Sequence, residues 1–195
     1  MTVHPIRSIG DPVLRQRAVE VPLDQIAASE TQTLIDDLID TMRAADGAGL
    51  AANQIGALQR VAVMEVHDNL RYPYKSPIPL TIAVNPVIEA MVDAEGVPET
   101  VLINEGCLSV PLRGEVRRHV TVRVRYRDRR GIEHEQIERG LTAGTWQHEC
   151  DHLDGVLFVD RVDDPATLAT WDEYAFHHRA AFVERITAFE ERFRS

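Results

Sequence analysis

The strongest constraint on this chain is a short motif, Q-H-E-C-D-H at 147 to 152, which contains His-Glu-x-x-His. Residues four apart meet on one helix face, so His148 and His152 can offer two imidazoles to one metal ion only if the segment around them is helical. That requirement predicts a helix from about Leu141 to Asp154, with Gly155 as its stop. Glu149 then stands beside the pair, able to reach a metal-activated water without ligating.

A catalytic metal site needs three protein ligands and an open position. The longer peptidase pattern H-E-x-x-H-x-x-G-x-x-H is matched through Gly155 and fails at Phe158, which cannot bind a metal. Two other candidates stand. Glu173, in W-D-E-Y, would give the ligand set of a zinc endopeptidase, although a glutamate there also fits a solvated helix face. Cys107, in E-G-C-L-S-V-P at 105 to 111, lies between a glycine and a β-type segment, where the backbone can turn a thiolate toward the helix. Cys107 could instead be a packed residue or a nucleophile, but the histidines that would serve as its base are spaced for metal. Cys150 falls off the face of His148 and His152 and is expected in the core.

The remaining periodicities describe an α+β domain spanning residues 1–195, with antiparallel hairpins and small sheets around the central helix. Asp11-Pro12 should open a short helix through about Arg17. Leu34, Ile35, Leu38, Ile39 and Met42 recur at helical spacing in a helix from about Glu30 to Ala45, ended by Gly47. Strands are expected at 60–66 and 80–89, joined by a proline-punctuated loop at 67–79. Residues 119–127 alternate, with Val120, Val122, Val124 and Tyr126 on one face and Thr121, Arg123, Arg125 and Arg127 on the other. A turn then leads into a strand at 132–138, completing a hairpin with one wet face. A last helix is expected from about Pro165 to Phe193.

Composition narrows the function classes. A net charge of -10 argues against a general nucleic-acid binder, and the arginine face at 123–127 reads as a solvated strand face before an RNA contact. No signal-peptide core and no run of about eighteen apolar residues occurs, so a cytoplasmic, reducing compartment is expected, with no membrane contact. In that setting a disulfide between Cys107 and Cys150 is disfavoured.

The stretch G-A-G-L-A-A-N-Q-I-G at 47–56 has the look of a phosphate loop but follows a helix and completes neither G-x-G-x-x-G nor the P-loop pattern. Gln54 ends its apolar run. A buried amide held at a reacting centre can donate to a developing oxyanion, which is the functional reading of Gln54.

Together, G-A-G-L-A-A-N-Q, E-G-C-L-S-V-P and Q-H-E-C-D-H resemble, in order and approximate spacing, the three motifs of the peptide deformylase family. I-R-S-I-G-D-P-V-L near the start and A-V-N-P-V-I-E at 83–89 extend the resemblance over most of the chain. It implies a hydrolase that removes the formyl group from the N-terminal formylmethionine of newly made proteins and releases formate. It implies Cys107, His148 and His152 as metal ligands, Glu149 as general acid and base, and the Gln54 amide with the Leu108 N–H as the oxyanion hole. The implied metal is a divalent ion, usually Fe(2+), with Zn(2+), Ni(2+) or Co(2+) accommodated. The implied partners are N-formylmethionyl peptides and nascent chains, with room for a transient ribosome contact but no stable nucleic-acid binding.

Leu141, Gly144 and Thr145 precede His148 by seven, four and three residues and so share its face. With Gly49 and Ile103 they are similar in position to the family's pocket for the methionine side chain. Departures are Gly144, where many members carry a larger apolar residue, and Asn53, where many carry proline. After Pro111 the chain reads L-R-G-E-V-R-R, which leaves Arg113 and Arg117 as alternatives for contacting substrate.

Overall fold

The structure is a computed structural model, and it describes residues 2–67 and 74–193. Residues 68–73 of the expected loop therefore lie outside the described residues. The first helix, α1, is Ser29–Ala44, and it buries Ile35, Leu38, Ile39 and Met42, the stripe that its spacing predicts. Each such side chain contributes roughly 1.5–3 kcal/mol by leaving water. The left-handed residue that ends α1 is Asp46, at φ 50°, rather than Gly47. Gly47 is needed for a different reason, because a Cβ there would lie 2.9 Å from the Leu108 side chain.

Five strands form one antiparallel sheet in the order β1-β2-β3-β6-β7: β1 Gly49–Ala51, β2 Val61–Val66, β3 Ile78–Ala90, β6 Thr121–Arg127 and β7 Glu133–Arg139. The alternation at 119–127 behaves as expected, with Val122 and Val124 fully buried. On the wet face Arg123 pairs with Glu135, Arg125 with Glu89 and Arg127 with Glu133. These guanidinium groups are matched by carboxylates from neighbouring strands and do not form an open basic patch.

A second sheet, order β4-β5-β8, contains β4 Thr100–Cys107, β5 Val110–His119 and the short β8 Ala169–Thr170. Helix α2, Gly140–Leu153, packs against strands of both sheets and is buried along most of its length. Trp146 anchors it to the larger sheet through Met64, Val122 and Val124. Gly155 takes φ +76° just past the helix, and a Cβ there would lie 2.7 Å from the Arg15 carbonyl oxygen.

Two helical expectations need correction. Asp11-Pro12 opens only a single 3-10 turn, Pro12–Arg15, although Asp11 does cap it by accepting from the Val13 N–H. The last helix does not begin at Pro165. A 3-10 turn at Pro165–Thr167 and strand β8 come first, because Leu112 and Arg113 of β5 pair with Thr170 and Ala169 and hold this stretch extended. Helix then starts at Trp171–Glu173, passes through a π-turn at Tyr174–His178 and continues as α3, Arg179–Glu190.

The end of α3 reaches back to α2. The buried Glu190 carboxylate accepts the Leu141 N–H at 2.6 Å, at the end of α2 where backbone N–H groups lack helical partners. Glu190→Ala is therefore expected to cost about 1–3 kcal/mol in urea denaturation. An unchanged midpoint would remove this cap from the account of α2.

Candidate active site

Three ligand atoms converge where the turn between β4 and β5 meets α2. Cys107 Sγ and one ring nitrogen each of His148 and His152 all lie within 4.8 Å of one another. Cys107 Sγ is 3.2 Å from His152 Nε2. His148 is fixed from behind, its Nδ1 3.0 Å from a carboxylate oxygen of Glu105, which leaves Nε2 for the centre. A histidine held by an outer carboxylate in this way has the orientation and basicity of a metal ligand. One sulfur and two nitrogens in this arrangement, facing a cleft, fit a divalent ion with an open position.

The charge on the thiol agrees with that fit. Burial works against the Cys107 thiolate, yet His152 and His148 bring the thiol well below its ordinary value, toward the form that binds metal. Burial likewise opposes charge on His148, but Cys107 and Glu105 raise it well above the usual histidine range. Burial alone would raise Glu105 too, and Arg118 with His148 instead hold its carboxyl well below the usual carboxylate range. Arg118 grips Glu105 through two hydrogen bonds of 2.6 and 2.9 Å and donates a third, of 2.6 Å, to Asp151 on α2. Asp151 also accepts two from Arg161.

Glu149 lies beside the ligands, fully enclosed, and its Oε2 has no hydrogen-bond partner among the described residues. Burial pushes its carboxyl up, with Cys107 adding to the effect and the two histidines opposing it. Gly49 makes room for it, since a Cβ at 49 would sit 2.2 Å from Glu149 Oε1. Gln54 is buried, and its orientation is set from both ends. Its Oε1 accepts the Ala51 N–H at 2.9 Å, while Nε2 donates to Ser109 Oγ at 3.0 Å and lies 3.6 Å from Cys107 Sγ.

A cleft opens above these groups, and Gln54, Cys107, Leu108, His148 and Glu149 all line it. Gly49, Ile103, Leu141, Gly144 and Thr145 line it as well. Residues 3–167 match the family model described as polypeptide deformylase. The chain belongs to the peptide deformylase family. It is a metal-dependent enzyme that removes N-formyl groups. A peptide deformylase of Leptospira biflexa is 44% identical over 164 residues, 83% of this chain and 89% of the relative. Peptide deformylase 2 of a Nostoc species is 41% identical over 173 residues, covering 87% and 92%. Among solved structures, a class I type b peptide deformylase from Acinetobacter baumannii bound to Met-Ala-Ser superposes with TM-score 0.77 at 34% identity, covering 83% of this chain and 99% of that one. A Synechococcus elongatus peptide deformylase in complex with actinonin gives 0.72 at 34%, covering 91% and 88%.

In this deformylase Glu173 is no ligand. Its side chain is 66% exposed, and it pairs with His177 on its own helix, away from the three convergent atoms. The two arginine alternatives also separate. Arg113 lines the cleft, buried, with Nε and Nη2 donating to Asn104, whereas Arg117 is half-exposed and pairs with Asp163. Lys75, which sequence reasoning passed over, also lines the cleft. Its Nζ donates to Thr145 Oγ1 at 2.9 Å, and burial draws its ammonium down to about 8.

Both cysteines are free thiols. Cys150 faces the core, and burial pushes its thiol up to about 12. After chelation of the metal, native protein is expected to titrate one thiol with a disulfide reagent, Cys107, and the second only in denaturant. Two fast thiols in the native chelated protein would contradict the assignment of Cys150 to the core.

Proposed function

We propose that this deformylase holds its metal, Fe(2+), through Cys107, His148 and His152, and that Glu149 carries the proton of the reaction. The convergence of one thiol and two imidazoles beside a buried carboxylate, whose Oε2 has no hydrogen-bond partner among the described residues, carries this reading. When bound, the metal supplies Lewis acidity toward water and toward the formyl oxygen. Glu149 takes the proton released by the attacking water and returns it to the departing amine. Gln54 Nε2 and the Leu108 N–H meet the negative charge that develops on the formyl oxygen. The methionine side chain packs against Gly49, Ile103, Leu141 and Gly144, and Arg113 is placed to steer a substrate carbonyl. The enzyme works in the cytoplasm on newly made chains, and a net charge of -10 suits a transient rather than a lasting ribosome contact.

The test is Cys107→Ser and Glu173→Ala, each measured for bound metal after anaerobic purification and for formate release from formyl-Met-Ala-Ser. Cys107→Ser should lose both, and Glu173→Ala neither. Full metal and full activity in Cys107→Ser would overturn the ligand set. The iron assignment is tested separately, because a thiolate on iron is open to oxidation. Peroxide in air should inactivate the purified enzyme, and reconstitution with Ni(2+) should protect it. Zinc as the metal recovered anaerobically would overturn iron.

A further inference from the structure

The match to the family ends at residue 167, yet the chain beyond it helps to build the cleft. Trp171 and Phe182 both line it. Phe182 is buried and packs in one apolar cluster with Ile103 and Leu141, two residues of the methionine pocket proposed above, and with Tyr74, Tyr174 and Ile186. Its ring meets Tyr74 edge-on at 5.5 Å and Tyr174 at 6.4 Å. The segment that carries it is clamped to the second sheet, because the Arg113 guanidinium lies between the rings of Trp171 and Tyr174 at 4.6 and 4.5 Å. Phe182 is thus a large apolar wall of the cleft, held between the rings of Tyr74 and Tyr174. Gly144 also lines the cleft without a side chain, and a Cβ there would lie 2.9 Å from Ile103 Cδ1. Gly144 thus lets Ile103 pack close to the helix that bears His148, and the segment past residue 167 adds the ring of Phe182 to the same apolar cluster.

We propose that Phe182 is a specificity-determining residue of this deformylase, setting how large a first side chain the cleft accepts after the formyl group. The proposal rests on the assignment of Ile103, Leu141 and Gly144 to the side-chain pocket. A purely structural Phe182 would, when altered, lower activity on every substrate alike. A pocket wall would change the ratio between substrates, since one methylene's worth of space in an apolar pocket changes discrimination by about tenfold or more.

The experiment compares kcat/KM for formyl-Met-Ala-Ser and formyl-Phe-Ala-Ser in the metal-loaded enzyme, Phe182→Leu, Phe182→Met and Gly144→Ala. Leu and Met keep much of the ring's volume, so both variants should fold. Each should move the ratio about tenfold toward the formyl-Phe peptide, and Gly144→Ala should move it the other way. If both Phe182 variants leave the ratio within twofold, or lower the two substrates in parallel, the role of Phe182 is overturned. If Gly144→Ala leaves the ratio unmoved, the pocket assignment falls, a result distinguishable from failure at Phe182 alone.

Discussion

Glu149→Gln should lower kcat/KM for formate release by about 10²–10⁴-fold while the protein keeps its metal. The amide has nearly the shape of the carboxylate but cannot accept the proton of water or return it to the amine. The expected loss lies toward the upper end, because in the proposed mechanism one carboxylate serves both transfers. The change breaks no hydrogen bond of Oε2, which has none among the described residues. Metal content by atomic absorption and formate by a coupled assay separate the two effects. A variant that has lost its metal would instead make Glu149 part of the binding site, and one of near-normal activity would remove it from the reaction.

Arg118→Ala should be the most damaging change for stability, about 3–5 kcal/mol in urea denaturation. The guanidinium is 3% exposed and compensates Glu105 and Asp151 together, so its removal leaves two enclosed carboxylates short of a partner. A domain with a total stability of about 5–15 kcal/mol has little margin for such a loss. The same cluster sets a pH dependence. The folded Glu105 carboxyl lies below its ordinary 4.5, so its contribution is complete above that pH. It is lost as pH falls below that value, when the unfolded chain takes up the proton first. Glu105→Gln should flatten that acid limb and weaken metal affinity by about 10–100-fold, since His148 loses its outer carboxylate. An acid limb unchanged in Glu105→Gln would assign acid sensitivity to other groups.

What could be read from the sequence depended on whether the signal was local. Apolar spacing placed α1, and the alternation at Val120, Val122 and Val124 placed β6, because burial on one face leaves a short-range period, whereas α2, buried nearly all round, was placed by the His148–His152 spacing and Gly155. The convergence of Cys107 and Gln54 on His148 came through family resemblance, as no period links a turn between strands to a helix some forty residues away. Glu105, Arg118 and Asp151 were missed for a related reason. A single charged residue on a strand or helix looks like a solvated position, and only the tertiary fold brings Glu105 of β4, Arg118 of β5 and Asp151 of α2 together. The start of the last helix was legible and passed over. Thr170 and Glu173 form a Thr-x-x-Glu pattern, and the Thr170 hydroxyl does accept the Glu173 N–H.

The reach of Glu190 back to the first turn of α2 also bears on how the enzyme comes into being. A growing polypeptide acquires its N-terminal parts first, and here both sheets and the two histidines are synthesised well before residue 190. Until these last residues have emerged, the helix that carries His148, Glu149 and His152 lacks the Glu190 carboxylate at its start, and before residue 182 the cleft lacks the ring of Phe182 as well. An enzyme that removes N-formyl groups therefore goes through its own immature stage, in which the proposed metal ligands have been made and the cleft is still unfinished.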